Sequence, residues 1–181
     1  MKIRARTARG VGAALLGCAA MLAPAVAVEA SASPARSASA GVNPACQTPG
    51  LVIWFDPNGS GTLGSTFYHL RFTNLSGHAC TLNGFPFMFA ISLSGRQIGL
   101  RARFTGPVHA VTLARRGTVH AVLQVTDVFN FPKSLCEPVF AAGFKVFPPN
   151  QQRAKTVPFP FRACSLNKRV FLRISGLSRG F

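Results

Sequence analysis

Four cysteines that follow an apolar N-terminal segment constrain the fold of this chain more than any other feature. None of them forms a Cys-x-x-Cys pair, so the spacing does not support a zinc ribbon or a thioredoxin-type site. An even set of cysteines in an exported chain is typical of a disulfide framework. Three connectivities are possible. We favour the sequential one, Cys46 with Cys80 and Cys136 with Cys164, in which each closed loop contributes roughly 3–4 kcal/mol.

The N-terminal segment has the order of a secretory signal peptide. Cations precede an uncharged apolar stretch over residues 10–28, small residues follow it, and we predict a signal peptide over residues 1–32. Two alternatives are an uncleaved membrane anchor, which Pro24 disfavours, and lipidation at Cys18, which the apolar chain after it disfavours. We therefore expect a secreted protein, extracellular or associated with the cell wall. The cations are Lys2, Arg4, Arg6 and Arg9.

Composition divides the rest of the chain in two. Residues 33–45 are small and polar with nothing to bury, which predicts a flexible linker. Residues 46–181 have the length of one domain with a proper core, and no internal repeat suggests a second. No other segment is apolar and long enough to cross a membrane.

The domain has the pattern of short strands cut by turns. Residues 66–73 alternate apolar and polar side chains, as a half-buried strand does. Residues 74–77 and 83–84 carry turn signals on either side of Cys80, which places this cysteine on a brief strand between two reversals. Helix signals are scarce. The pattern predicts an antiparallel β-sandwich of immunoglobulin-like type, with about seven to nine short strands.

A hairpin is also predicted, from residues 108–113, a turn over residues 114–117 and a second strand over residues 118–125. It would make His109 and His120 diagonal neighbours on one face.

Part of the chain resembles a known family. The run Tyr68-x-Leu-x-Phe-Thr-Asn74, followed by Ser76-Gly-x-x-Cys-Thr-Leu-x-Gly-Phe-Pro86, resembles secreted actinobacterial domains of unknown function, numbered 4232. The likeness extends from about Cys46 to the C-terminus. It implies export, a disulfide-bonded β-domain and bacterial origin, but no activity. Members often present Pro-Gly where this chain has Arg116-Gly117, and its strong positive charge is atypical of the family.

The mature domain is short of groups that could carry out catalysis. Asp56 and Asp127 fall in turn-like contexts and Glu137 precedes Pro138, so a glycosidase carboxylate pair is not supported. Bridged cysteines are not nucleophiles. No third ligand joins the histidines by spacing. We predict a non-enzymatic protein without catalytic residues, cofactor or metal, and consider a hydrolase with an unseen site a weaker hypothesis.

Charge is the one feature that points to a partner. Without the signal, sixteen Lys and Arg residues face three carboxylates, a net charge of about +13 that favours anionic ligands. We hypothesise adhesion to anionic cell-envelope polymers, with Arg side chains forking onto their oxygens. A solvated face would show the same pattern, and nucleic acid is a lesser candidate because of export. The candidate residues are Arg101, Arg103, Arg115, Arg116, Lys168, Arg169 and Arg173. On a strand, Arg101 and Arg103 would share a face.

A second hypothesis is an extracellular protein-interaction module. In this reading Arg115 and Arg116, at the predicted hairpin tip, would enter a trypsin-like protease pocket. The sequence is rich in Phe, with sixteen against one Trp and one Tyr, which is a bias towards core filling. Residues 129–131 and 159–161 could nevertheless leave an exposed apolar patch for a partner. We expect a monomer.

Overall fold

The computed structural model describes residues 43–180, which form an all-β domain. The predicted signal peptide, and the predicted linker up to residue 42, lie outside the described residues. In the described part no helix is long and apolar enough to span a membrane. The strands are β1 (Leu51–Phe55), β2 (Ser60–Thr62), β3 (Ser65–Asn74), β4 (Cys80–Leu82), β5 (Phe87–Ile91), β6 (Gln97–Ile98), β7 (Arg103–Thr105), β8 (Val111–Leu113), β9 (Thr118–Thr126), β10 (Pro138–Phe147), β11 (Lys155–Cys164) and β12 (Leu172–Ser175).

The strands form three sheets. The first has the order β1-β3-β9-β12-β7, with β2 paired to β3. The second has the order β11-β10-β5-β6, and β4 and β8 form a two-stranded sheet. All pairs of named strands are antiparallel except β7 with β12, which is parallel. The all-β prediction is confirmed, with more strands than the seven to nine expected and one parallel pair. Immunoglobulin-like topology stays a prediction.

The first two sheets pack against each other through alternating apolar side chains. On β1 the residues Leu51, Ile53 and Phe55 are buried while those between them are exposed, as the two-residue period of a strand requires. The Phe55 ring lies 5.1 Å from that of Phe144 on β10. Aromatic contacts of this kind join the two sheets across one core, as in a β-sandwich.

Both disulfides have the predicted sequential pairing. Cys46–Cys80 ties the start of the domain to β4, and Cys136–Cys164 joins the segment before β10 to the end of β11. All four cysteines are buried, so the framework lies inside the domain.

The stretch around Cys80 is organised by Asn74, the buried last residue of β3. Its Nδ2 lies within hydrogen-bond distance of the carbonyls of His78, Leu113 and Ala114. Its Oδ1 accepts from the backbone N–H and the hydroxyl of Ser76. The asparagine therefore closes the turn that leads into β4, as the sequence predicted, and also anchors the end of β8.

The predicted hairpin over residues 108–125 is wrong. Strand β8 pairs with β4, whereas β9 pairs with β3 and β12. The turn between β8 and β9 donates its Arg116 N–H to the Asn74 carbonyl, and the Asn74 N–H is bonded to the Gly117 carbonyl. The backbone of Asn74, at the end of β3, thus pairs with the turn residues through which β8 and β9 would have formed a hairpin.

Candidate functional site

A row of polar and basic side chains crosses the face of the first sheet that is turned away from the aromatic core. In register, Gln124 on β9 lies beside Arg173 on β12, and Arg173 lies beside Arg103 on β7. Their neighbours along β9 and β12, Leu123 and Ile174, are fully buried on the opposite face. Strand alternation therefore sends Gln124 and both arginines outward.

This row forms one wall of a groove of about 610 Å³. The loop between β11 and β12 contributes Lys168 and Arg169 to the lining. Polar side chains that can donate or accept hydrogen bonds complete the lining: Ser65, Gln124, Thr126 and Asn130. No Asp or Glu lies among the lining residues of this groove.

The β11–β12 loop is held in place at both ends. It leaves β11 directly after Cys164, which is bridged to Cys136, and it enters β12 after the fully buried Phe171. Within the loop, Lys168 Nζ donates to the Ser134 carbonyl at 3.1 Å. These anchors bring Lys168 and Arg169 to the groove although they are far from Arg103 in sequence.

The lining of the groove collects positive charge and contains no carboxylate. Across residues 43–180 the observed ion pair is Arg71 with Asp56, and it does not involve the groove. The carboxylates nearest to the groove along the chain form hydrogen bonds outside its lining. Asp127 Oδ1 accepts from the Phe129 N–H, and Glu137 lies within 3.5 Å of the Ser165 hydroxyl. Because like charges on neighbouring strands repel, an anion bound between them is favoured.

The other predicted basic residues lie elsewhere. Arg101 precedes β7 and therefore does not share a strand face with Arg103; its guanidinium lies 5.6 Å from the Phe87 ring on the second sheet. Arg101 and Arg103 do line a smaller cavity of about 400 Å³. Arg115 and Arg116 are exposed in the β8–β9 turn, at the opposite end of β9 from Thr126. The structure thus brings together four of the seven candidates.

The prediction that His109 and His120 are neighbours on one face of a hairpin is also wrong. His120 faces His69 on β3, with ring centroids 4.5 Å apart, and its Nε2 lies 3.2 Å from the Ser178 hydroxyl. Burial lowers the pKa of His120, and the nearby His69 and Arg71 lower it further.

The hydrogen bond from the Asn58 N–H, followed by that from Arg71, lowers the pKa of Asp56. Within residues 43–180, no group of three or more His, Cys, Asp and Glu side chains could hold a metal ion.

Sequence reasoning missed the uncharged half of the groove. Gln124 and Thr126 stand at polar positions of an alternating strand, which signals exposure but not a site. Only the register of β9 against β12 places Gln124 beside Arg173.

Comparison with known proteins gives one positive result. A family model described as "Domain of unknown function (DUF4232)" matches residues 46–171. No curated protein and no solved structure shows significant similarity to the chain. The matched region contains both disulfides, the Cys80-to-Pro86 motif, and Arg103, Lys168 and Arg169 of the groove.

Proposed function

Because the chain belongs to the family described as Domain of unknown function (DUF4232), whose description specifies no activity, we propose its function from the basic groove. The protein is an exported, non-enzymatic binding module that adheres to anionic polymers of the cell envelope. The groove of Arg103, Arg173, Lys168 and Arg169 is the contact surface. It takes phosphate or carboxylate groups along an extended chain.

The observation that carries this proposal is the convergence of four cations on one groove without a carboxylate in its lining. Arg103 and Arg173 are paired residues on adjacent strands, whose backbones are typically about 4.8 Å apart. Each guanidinium can offer two parallel N–H donors to an anionic group. Polar groups such as Gln124 and Thr126 supply further hydrogen bonds, which suits a repeating polymer of charged and hydroxylated units.

Export is part of the proposal and rests on separate support. Two buried disulfides are typical of proteins that fold in an oxidising compartment. The basic N-terminus and the apolar stretch that follows it are the remaining support. An extracellular location puts the groove next to envelope polyanions.

The test compares two double variants with the same change in net charge. Arg103→Gln/Arg173→Gln removes two groove cations, and Arg115→Gln/Arg116→Gln removes two cations at the far end of β9. Binding to a short polyphosphate chain is measured by calorimetry at several salt concentrations, after circular dichroism has shown that each variant is folded. We expect the groove variant to lose about tenfold or more in affinity, with a salt slope reduced by about two.

The control variant should stay within about threefold of the wild-type affinity. Equal losses in the two variants would show that net charge, rather than the groove, attracts the polymer, and would refute the proposal. No binding by the wild-type protein to polyphosphate or to purified cell wall would refute it as well.

The protease-inhibitor alternative gains no comparable support. Arg115 and Arg116 occupy a four-residue turn closed by the Gly117 N–H to the Ala114 carbonyl, and Arg116 has a φ of 60°. A protease groove commonly takes an extended peptide that pairs through its backbone, and this turn has already used the Arg116 N–H. Inhibition of a trypsin-like protease that is lost in Arg115→Gln/Arg116→Gln would restore the alternative.

A further inference from the structure

We infer that the rim of the basic groove docks on an anionic lipid surface, into which Leu63 and Phe129 insert. The inference rests on the proposed function in one respect, since the groove cations supply the attraction. It goes further because it names a membrane as the surface to which this end of the domain binds, and because it assigns a role to two exposed apolar residues at the rim.

Two apolar loop tips project at one end of the groove. Leu63, in the β2–β3 turn, is 105% exposed, and Phe129, in the 3-10 helix Val128–Asn130 that follows β9, is 70% exposed. The two tips are held together because the Gly64 carbonyl accepts from the Asp127 N–H and from Asn130 Nδ2. Leu63 itself lines the groove beside the cations. The tips therefore form one apolar rim on a braced support.

The rim is surrounded by positive charge. Besides the four groove cations, exposed Lys133 lies in the loop that carries Phe129, and Lys168 contacts that loop at Ser134. Asp127 is the carboxylate on this rim, and its Oδ1 caps the 3-10 helix through the Phe129 N–H. An apolar tip set among Lys and Arg side chains matches a membrane interface, where apolar groups enter the acyl boundary and cations meet anionic headgroups.

A second exposed apolar pair shows why the groove rim is the better site. Leu93 is 98% exposed and Phe140 is 64% exposed, and both line a cavity of about 540 Å³ at the β5–β6 connection. The cation lining that cavity is Arg96, and the guanidinium of Arg162 lies 4.3 Å from the Phe140 ring, covering one of its faces. This pair has similar exposure with fewer cations, which makes it a matched control.

The experiment uses protein purified from the medium of a secreting host and measures co-sedimentation with vesicles. One set of vesicles is phosphatidylcholine alone, and the other contains about a quarter phosphatidylglycerol. The variants are Phe129→Ser, whose ring lies outside the groove lining, and the control Phe140→Ser. Each variant is also assayed for binding to soluble polyphosphate.

We expect wild-type protein to bind the anionic vesicles and not the neutral ones. The Phe129→Ser variant should lose about tenfold or more in vesicle binding while keeping its polyphosphate affinity, and the Phe140→Ser control should keep both. Removing both Arg103 and Arg173 should weaken vesicle binding by about fivefold for each charge.

Unchanged vesicle binding in the Phe129→Ser variant, or an equal loss in the control, would overturn the inference. No binding of the wild-type protein to anionic vesicles would do the same. If polyphosphate binding persists in those cases, the membrane inference fails and the proposed function stands. If wild-type protein binds vesicles but not soluble polyphosphate or purified cell wall, the proposed function fails and the membrane inference stands.

Discussion

Asn74 is the single side chain on which most of the local backbone around the first disulfide depends. Its amide contacts three carbonyls, and its oxygen accepts two hydrogen bonds from Ser76, in a fully buried position. We expect Asn74→Ala to lower the free energy of unfolding by about 2–4 kcal/mol, because it removes the donor to the Leu113 carbonyl in the buried interior and the acceptor of the Ser76 N–H. Urea unfolding measures the loss.

Ser76→Ala is the matched control, since it removes one hydroxyl from the same turn. It should cost about 1 kcal/mol or less. A loss under about 1 kcal/mol for Asn74→Ala would mean that water or a local rearrangement satisfies these carbonyls.

His120 links stability to pH. Its pKa is lowered from 6.5 in the folded protein, first by burial and then by His69 and Arg71. Below pH about 6.5 the unfolded chain binds a proton at this imidazole that the folded protein still excludes, so the free energy of unfolding falls as the pH falls. Asp56, with a pKa below 3.8, acts only at lower pH.

The check is unfolding between pH 7.5 and about 5 in wild-type protein, His120→Gln and His109→Gln. The His120 variant should show the weaker pH dependence. The exposed His109 variant should follow the wild-type protein. A His120 variant with the full wild-type slope would assign the pH dependence to another group.

At the scale of strands and loops, the two disulfides have different tasks. Cys46–Cys80 secures β4, whereas Cys136–Cys164 holds the loop that brings Lys168 and Arg169 to the groove. The closed loops are similar, with sequence separations of 34 and 28, so removing either bridge should cost about 3–4 kcal/mol.

The two removals should differ in binding. Cys136→Ser/Cys164→Ser should weaken polyphosphate binding by about threefold or more under conditions where the variant is folded, because the basic loop loses an anchor. Cys46→Ser/Cys80→Ser should not weaken it. Calorimetry on both folded variants compares them, and equal affinities would contradict the positioning role of the second bridge.

Strands were predictable from the sequence where local pattern decides them. The long β3 and the brief β4 at Cys80 follow from residue periodicity and turn chemistry. The partner of β8 was not predictable, because it pairs with β4 some thirty residues earlier. The turn at Arg115 and Arg116 suits a hairpin locally, and the competing hydrogen bonds from Asn74 are visible only in three dimensions.

For the whole molecule, the sequence supports the hypothesis of an anionic ligand, but it does not locate the groove. Excess Lys and Arg indicate an anionic partner wherever they lie on the surface. Their convergence depends on register between β7, β9 and β12 and on a disulfide-anchored loop, and none of these is a local property. For this reason Arg115 and Arg116 looked equivalent to Arg103 and Arg173 in the sequence.

The most direct test of the central claim, that the groove binds the anion, is an NMR titration of the labelled domain with a short polyphosphate chain. Amide shifts are expected to move around Arg103, Gln124, Arg173 and the Lys168–Arg169 loop, with little change at Arg115 and Arg116. Shifts centred on the β8–β9 turn, or spread evenly over all basic residues, would contradict the account.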